Sequence, residues 1–102
     1  MRIIKESRLR EYAKQHSQAA SALRHWLTAA RNANWQSCKD VKETFVFADQ
    51  IPLRNGFRVV VFNICGGGFR LITAIHYNRG IIYIRRFLTH AEYSKEDWKN
   101  DP

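Results

Sequence analysis

The sequence has no long hydrophobic run. Its longest apolar stretches, VVVF at residues 59–62 and LITAI at residues 71–75, are far shorter than the roughly 20 residues that a membrane-spanning helix needs. The opening stretch, MRIIKESRLREYAK, lacks the apolar segment of a secretory signal. We therefore expect a cytoplasmic protein that does not associate with membranes.

Cysteines and metal-ligand patterns are also scarce. The only two cysteines, Cys38 and Cys65, lie far apart in the sequence and match neither a metal-binding nor a redox motif. The four histidines and nine carboxylates show no ligand spacing. We predict two free thiols in a reducing compartment, no metal site and no cofactor.

Negative charge is in deficit. Nine Asp and Glu stand against 17 Lys and Arg, so the formal net charge is +8, and most of the cations are arginine. The planar guanidinium of arginine binds phosphate in two places and stacks on bases. This excess favours a polyanionic partner, nucleic acid ahead of a membrane, although surface charge that only aids solubility is the alternative.

The first half of the sequence predicts helices. A helical region at residues 5–16 precedes one at residues 18–33, where apolar residues recur at three- and four-residue spacing. With Ser17 as N-cap of the second helix, the two form a helical hairpin. Residues 2–4 are a candidate edge strand, and a connection of about twenty residues with a short strand at 43–47 follows the hairpin.

The second half predicts strands at residues 57–64, 69–77 and 81–88. Their short glycine-bearing links, CGGG and NRG, are typical of hairpins. The polar segment after them starts with Thr89, which has Glu92 at capping-box spacing. Residues 1–102 are thus expected to form one α+β domain: an N-terminal helical hairpin packed on a small twisted antiparallel sheet, with a short C-terminal helix.

Strand register brings polar side chains to one end of this sheet. The even number of residues in CGGG places Asn63 opposite Arg70, on the same face. A two-residue turn in the next link would put Arg85 on that face, opposite Ala74, whereas a three-residue turn would put Arg86 there. In either register one of these two guanidiniums joins Arg70 and the other points away.

His90 and Tyr93 follow the last strand within one helical turn of each other. Cleavage of RNA by its own 2′-hydroxyl needs a base, cationic donors for the phosphoryl group and an acid for the leaving oxygen. Histidine serves as acid or base near neutral pH, arginine stabilises the phosphoryl charge, and tyrosine donates a proton or stacks on a base. Each residue alone has a plainer interpretation, because a lone histidine after a strand is more often a surface or capping residue.

Four stretches resemble the HigB family of bacterial toxins, within the RelE-like group of ribosome-dependent mRNA interferases: VFNI (61–64), FR (69–70), YIR (83–85) and THAEY (89–93). The similarity covers nearly the whole chain. It implies a compact α+β fold with helices on one sheet face and RNA on the other. It also implies an enzyme that acts in the ribosomal A site and cuts mRNA during translation.

The resemblance assigns the catalytic positions and favours the register that uses Arg85. The catalytic residues that it implies are Asn63, Arg70, Arg85, His90 and Tyr93. In this assignment the arginines hold the scissile phosphate, and His90 and Tyr93 supply proton transfer or base stacking. Five further cations are predicted to contact RNA: Arg54, Arg58, Arg79, Arg86 and Lys95.

The resemblance also implies partners. A HigA-type antitoxin with a helix-turn-helix domain would neutralise the toxin, and operator DNA would be bound only through the toxin–antitoxin complex. The sequence departs from the family pattern at Gly67 and Gly68, which replace an Asn and a cation, and at Ser94, which replaces an Asp. Two other functions remain open: a non-catalytic module that binds RNA or the ribosome, and an antitoxin-binding protein that has lost activity.

Overall fold

The computed structural model describes residues 1–100, so positions 101 and 102 of the predicted domain lie outside the described residues. The strands form one sheet: β1 (Arg2–Ile4), β2 (Asp49–Pro52), β3 (Arg58–Ile64), β4 (Phe69–His76) and β5 (Ile81–Thr89). The helices are α1 (Ser7–Gln15), α2 (Ala20–Asn32), α3 (Cys38–Thr44) and α4 (His90–Ser94). Across this described part of the chain, no helix has the length and apolar character to cross a membrane. The α+β class agrees with the prediction.

The sheet is mixed, which corrects the prediction of an antiparallel one. Its strand order is β1-β5-β4-β3-β2, and β1 pairs with β5 in parallel while the other pairs are antiparallel. The predicted edge strand at residues 2–4 is therefore present. Its direction could not be read from the sequence, because no hairpin link joins it to the strand beside which it lies.

The predicted helical hairpin is formed by α1 and α2, but Ser17 does not cap the second helix. Residues 17–19 form a turn of 3₁₀ helix, and no side chain makes a capping hydrogen bond to α2. The residue before α2, Ala19, is itself nearly helical, with φ −94° and ψ −5°. An N-cap serine needs an extended backbone to reach the free N–H groups, and this continuous turn does not provide it.

The connection after the hairpin contains the helix α3, and the strand predicted at residues 43–47 is wrong. Val41 and Phe45 are four residues apart, and Val41 is fully buried. Phe45 packs edge-on against Phe62 of β3, with ring centroids 5.4 Å apart. This packing overrides the strand propensity of the aromatic and β-branched residues nearby. The real edge strand, β2, reads DQIP and carries little strand signal.

The helices cover one face of the sheet and form the larger core with it. Trp26 of α2 is buried and packs on Phe62, with ring centroids 5.3 Å apart. Leu71 of β4 and Ile82 and Ile84 of β5 complete this helix-side core. The opposite face, called the second face below, carries a smaller cluster: Leu53, Val59, Val61, Ile72 and Trp98. The C-terminal segment therefore covers part of the face opposite the helices.

The β3–β4 register was predicted correctly, whereas both registers considered for β4–β5 are wrong. Asn63 lies opposite Arg70, as expected. The next link is longer than predicted: residues 77–79 form a 3₁₀ turn, and Gly80 closes it with φ +66°. Tyr83, rather than either arginine, therefore lies opposite Ala74.

A β-bulge then places both arginines of β5 outside the helix-side core. Arg86 pairs with Ile72 and Ile84 pairs with Thr73, so Arg85 is an extra residue between two paired positions. Ile84 and Phe87, on either side of the two arginines, both belong to the helix-side core. Arg85 borders a cavity together with Val59, and Arg86 borders one together with Trp98, so both arginines reach the second face. The expectation that one of the two guanidiniums points away from it is therefore wrong.

Arg8 of α1 supports this bulge from the sheet edge. Because β1 pairs with β5 only as far as Tyr83, the following carbonyl groups of β5 have no partner strand on that side. The Nη1 atom of Arg8 donates to the carbonyl oxygens of Ile84 and Arg85, each at 3.2 Å. A charged donor thus replaces the missing strand, since buried carbonyl groups need hydrogen-bond partners.

We predict that Arg8→Met lowers the free energy of unfolding by about 1.5 kcal/mol, because two carbonyl groups lose a charged donor while the apolar stem is retained. Arg10→Met is the matched control on the same helix. The side chain of Arg10 is 72% exposed, and its ion pair with Glu6 is long, at 4.0 Å. Its replacement should therefore change stability by less than about 0.5 kcal/mol. Urea unfolding of both variants measures the difference, and equal losses would contradict the role given to Arg8.

Candidate active site

The loop between β3 and β4 and the start of α4 meet at one end of the sheet. Gly66 and Gly67 adopt φ values of +67° and +92°, which favour glycine. The backbone N–H of His90 donates to the carbonyl oxygen of Gly68 at 2.9 Å. This bond ties the loop to the first turn of the last helix.

Arg70 is held within this junction. Its Nη1 atom donates to the carbonyl oxygens of Gly67 and of Phe69, the latter at 3.2 Å. Its Nη2 atom lies 3.4 Å from Nδ1 of His90. A guanidinium can only donate, so Nδ1 is the acceptor in a hydrogen bond between these two side chains. The imidazole is exposed, so its other ring nitrogen, Nε2, can reach a further partner.

Tyr93 forms the middle of a stack below Arg70. The Cζ atom of Arg70 lies 5.2 Å from the centroid of the Tyr93 ring, which is cation–π distance. The ring also stacks on the ring of Trp98, with centroids 5.2 Å apart and an interplanar angle of 16°. The indole N–H of Trp98 also donates to the carbonyl oxygen of Tyr93 at 3.0 Å. Trp98 is only 4% exposed, so it anchors the stack in the cluster on the second face.

Burial raises the pKa of the Tyr93 hydroxyl, and the neighbouring charge of Arg70 lowers it in part. Desolvation dominates because it disfavours the phenolate. The hydroxyl is therefore protonated at neutral pH. It can donate a proton or a hydrogen bond, but it is poorly suited to accept a proton from RNA.

The predicted capping box positions His90 and Tyr93. The Thr89 hydroxyl accepts from the backbone N–H of Glu92 at 3.2 Å, and the Glu92 carboxylate accepts from the backbone N–H of Thr89 at 2.9 Å. Ser94, where the sequence departs from the family pattern, donates its hydroxyl to the carbonyl oxygen of His90 at 2.9 Å. Local hydrogen bonds thus fix a helix of only five residues.

The other two predicted catalytic residues lie at different distances from Arg70, His90 and Tyr93. Asn63 is exposed and lies opposite Arg70 on the second face. Arg85 lies at the bulge, three residues before Leu88, which is the partner of Arg70 on β5. Three residues correspond to about 10 Å along a strand. The contacts described above join Arg70, His90 and Tyr93, which we call the contact group.

The five cations predicted to contact RNA divide into two sets. Arg86 and Lys95 border a cavity of about 380 Å³ beside Trp98, near the contact group. Arg54, Arg58 and Arg79 lie at the opposite end of the sheet, where the β2–β3 turn and the β4–β5 link are found. The predicted RNA contacts are therefore spread along the sheet.

Trp98 is not among the site residues predicted from the sequence. The only sign in the sequence is a large aromatic residue within an otherwise polar C-terminal segment.

Cys38 and Cys65 are both free thiols. Among residues 1–100, no group of three or more His, Cys, Asp or Glu side chains is arranged to hold a metal ion.

The family model of the HigB toxin, described as the RelE-like toxic component of a toxin–antitoxin system, matches residues 19–96. The chain belongs to the HigB toxin family. This HigB protein is therefore the toxin of a toxin–antitoxin system, and an antitoxin is its partner. A comparison with the curated proteins finds no match. The contact group falls within the matched segment, and Trp98 lies just beyond it.

The capping box of this HigB toxin should make the stability of the fold depend on pH. The hydrogen bond from the backbone of Thr89 holds the pKa of the Glu92 carboxyl below its ordinary value. A carboxyl whose pKa is lower in the folded state stabilises the fold above its unfolded pKa, and this contribution is lost as the pH falls through the folded value.

We predict that Glu92→Gln is less stable than the parent at pH 7 and that this difference narrows between about pH 5 and pH 3. Urea unfolding of both proteins across this range is the measurement. Glu43→Gln, at an exposed carboxyl of α3, is the control for general charge effects. The role of the capping box is refuted if the two variants change with pH in the same way.

Proposed function

We propose that this HigB toxin is a ribosome-dependent endoribonuclease that cuts translated mRNA through attack of a 2′-hydroxyl on the adjacent phosphate. One observation carries the proposal: the fixed guanidinium of Arg70 lies against both an imidazole and a phenol. The family favours a ribonuclease in general, and the contact group supplies the chemical groups that this cleavage requires.

In the proposed reaction, the 2′-oxygen forms a bond to phosphorus and the bond to the 5′-oxygen breaks. Arg70 stabilises the negative charge that builds up on the phosphoryl oxygens. The proton of the 2′-hydroxyl passes to His90 or to water. The leaving 5′-oxygen takes a proton from Tyr93, which is protonated, or from His90 where Tyr93 instead stacks on a base. Asn63 and Arg85 bind the RNA beside this group. No step uses a metal ion.

The ribosome enters the proposal because the contact group contains no strong base. Such a site gains most from a partner that holds the 2′-hydroxyl in line with the phosphate. The A site presents the message in a fixed conformation, and the excess of arginine suits a surface rich in RNA phosphate.

The remaining parts of the proposal concern the whole chain and its partners. Residues 1–102 act as one cytoplasmic toxin domain. A HigA-type antitoxin with a helix-turn-helix domain neutralises it, and the toxin reaches operator DNA only within that complex. These points rest on the family and on the sequence.

We predict that the purified toxin cuts mRNA on translating ribosomes and cuts the same mRNA poorly without them. A message with a single 2′-deoxy nucleotide at the cut position should resist cleavage there, because the attacking group is missing. Mapping 5′ ends by primer extension measures both effects. Efficient cleavage of free RNA that ribosomes do not increase, or cleavage at the deoxy position, is incompatible with the proposal.

We also predict that Arg70→Gln lowers the rate of cleavage on saturated ribosomes by on the order of 100-fold, since one donor to the reacting phosphate is lost. Arg24→Gln, at an exposed cation of α2, should instead cause a modest loss of affinity that depends on salt. Single-turnover cleavage at two salt concentrations separates the effects. Equal, modest losses in both variants would favour a non-catalytic RNA-binding module.

A further inference from the structure

We infer that a cavity at the other end of the second face binds a nucleotide of the single-stranded message, an inference that rests on the proposed function. This far cavity has a volume of about 480 Å³. It lies between the β2–β3 turn and strands β4 and β5. The residues that decide its chemistry are Phe57, Arg58, Val59, Ala74, His76 and Arg85.

The side chain of Phe57 suggests that the far cavity binds a nucleobase. It is 72% exposed, although the turn that carries it is held firmly by hydrogen bonds. Its N–H donates to the Asn55 side chain at 3.0 Å, and its carbonyl oxygen accepts from the N–H of Leu53 at 2.6 Å. An exposed ring on a well-held backbone contributes little to the core, and it offers a surface on which a nucleobase can stack.

The charges of the far cavity suggest a phosphate beside that base. Arg58 is exposed at the start of β3, and the bulge brings Arg85 to the same cavity. Val59 and Ala74 give it an apolar floor, and its volume lies within the usual range for small-molecule sites. An aromatic platform with guanidiniums at its rim is complementary to a nucleotide in shape and charge.

The position of the far cavity allows one RNA strand to reach both it and the contact group. Val59 is four residues from Asn63 on β3, which is about 13 Å along the strand. The two arginines of the bulge connect the regions: Arg86 borders the cavity beside Trp98, and Arg85 borders the far cavity. A message held at Arg70 would therefore meet Phe57 a few nucleotides from the cut.

The test measures binding of fluorescein-labelled single-stranded RNA by anisotropy, without ribosomes. The parent should bind a longer oligomer more tightly than a dinucleotide. Phe57→Ala should weaken binding of the longer oligomer by about tenfold, since base stacking on an aromatic ring has roughly this effect. Phe57→Tyr should bind like the parent and Phe57→Leu like the alanine variant. Because Phe57 is exposed, all three variants should unfold at the parent's urea concentration.

A salt titration distinguishes stacking from charge. Arg58→Gln should reduce the slope of log affinity against log salt by about 0.7, the value expected for one phosphate contact to a single strand. Phe57→Ala should weaken binding without changing this slope. A changed slope in the phenylalanine variant would contradict a stacking role.

The inference is overturned if the affinity of the parent does not increase with oligomer length, or if Phe57→Ala binds RNA as tightly as the parent. It is also overturned if Phe57→Ala binds RNA normally but is no longer neutralised by co-expressed antitoxin, because the cavity would then be a protein-binding site. Failure of the parent to cut translated mRNA would refute the proposed function instead, and the binding measurements would remain valid.

Discussion

The geometry of the site depends on how the Arg70 guanidinium is held. Its partners are the carbonyl oxygens of Gly67 and Phe69, an imidazole nitrogen of His90 and the face of the Tyr93 ring. None of these partners carries negative charge. A partly buried cation needs hydrogen-bond acceptors, and neutral acceptors provide them without cancelling its charge. The positive charge thus remains available to a phosphate, as the proposed reaction requires.

The C-terminal segment makes this arrangement rigid. Trp98 is buried against the sheet and supports the Tyr93 ring from below, while the capping box of Thr89 and Glu92 fixes the short helix between them. The side chains of the contact group need not pack in the helix-side core. The larger core and the contact group therefore lie on opposite faces of the sheet, and the C-terminal segment holds the contact group against the second face.

The sequence predicted those features that depend on neighbouring residues. The register that places Asn63 opposite Arg70 follows from a short link, and the capping box follows from a three-residue spacing. The missed features depend on contacts between distant residues. The parallel pairing of β1, the helix α3 and the anchoring by Trp98 are stabilised by packing that no local pattern shows. Strand alternation also could not reveal the bulge at Arg85, because a bulge interrupts the alternation itself.

The bulge keeps the charged side chains of β5 out of the helix-side core, where regular alternation of side chains would place one of them. In a regular strand that begins with Ile84 in the helix-side core, Arg86 would also point into that core and Phe87 would point away from it. Burying an unpaired guanidinium there would be costly. One extra residue returns Phe87 to the core and brings both arginines to the other side, with Arg8 donating to the carbonyl groups of Ile84 and Arg85. The bulge that avoids this burial thus also places two arginines between the contact group and the far cavity.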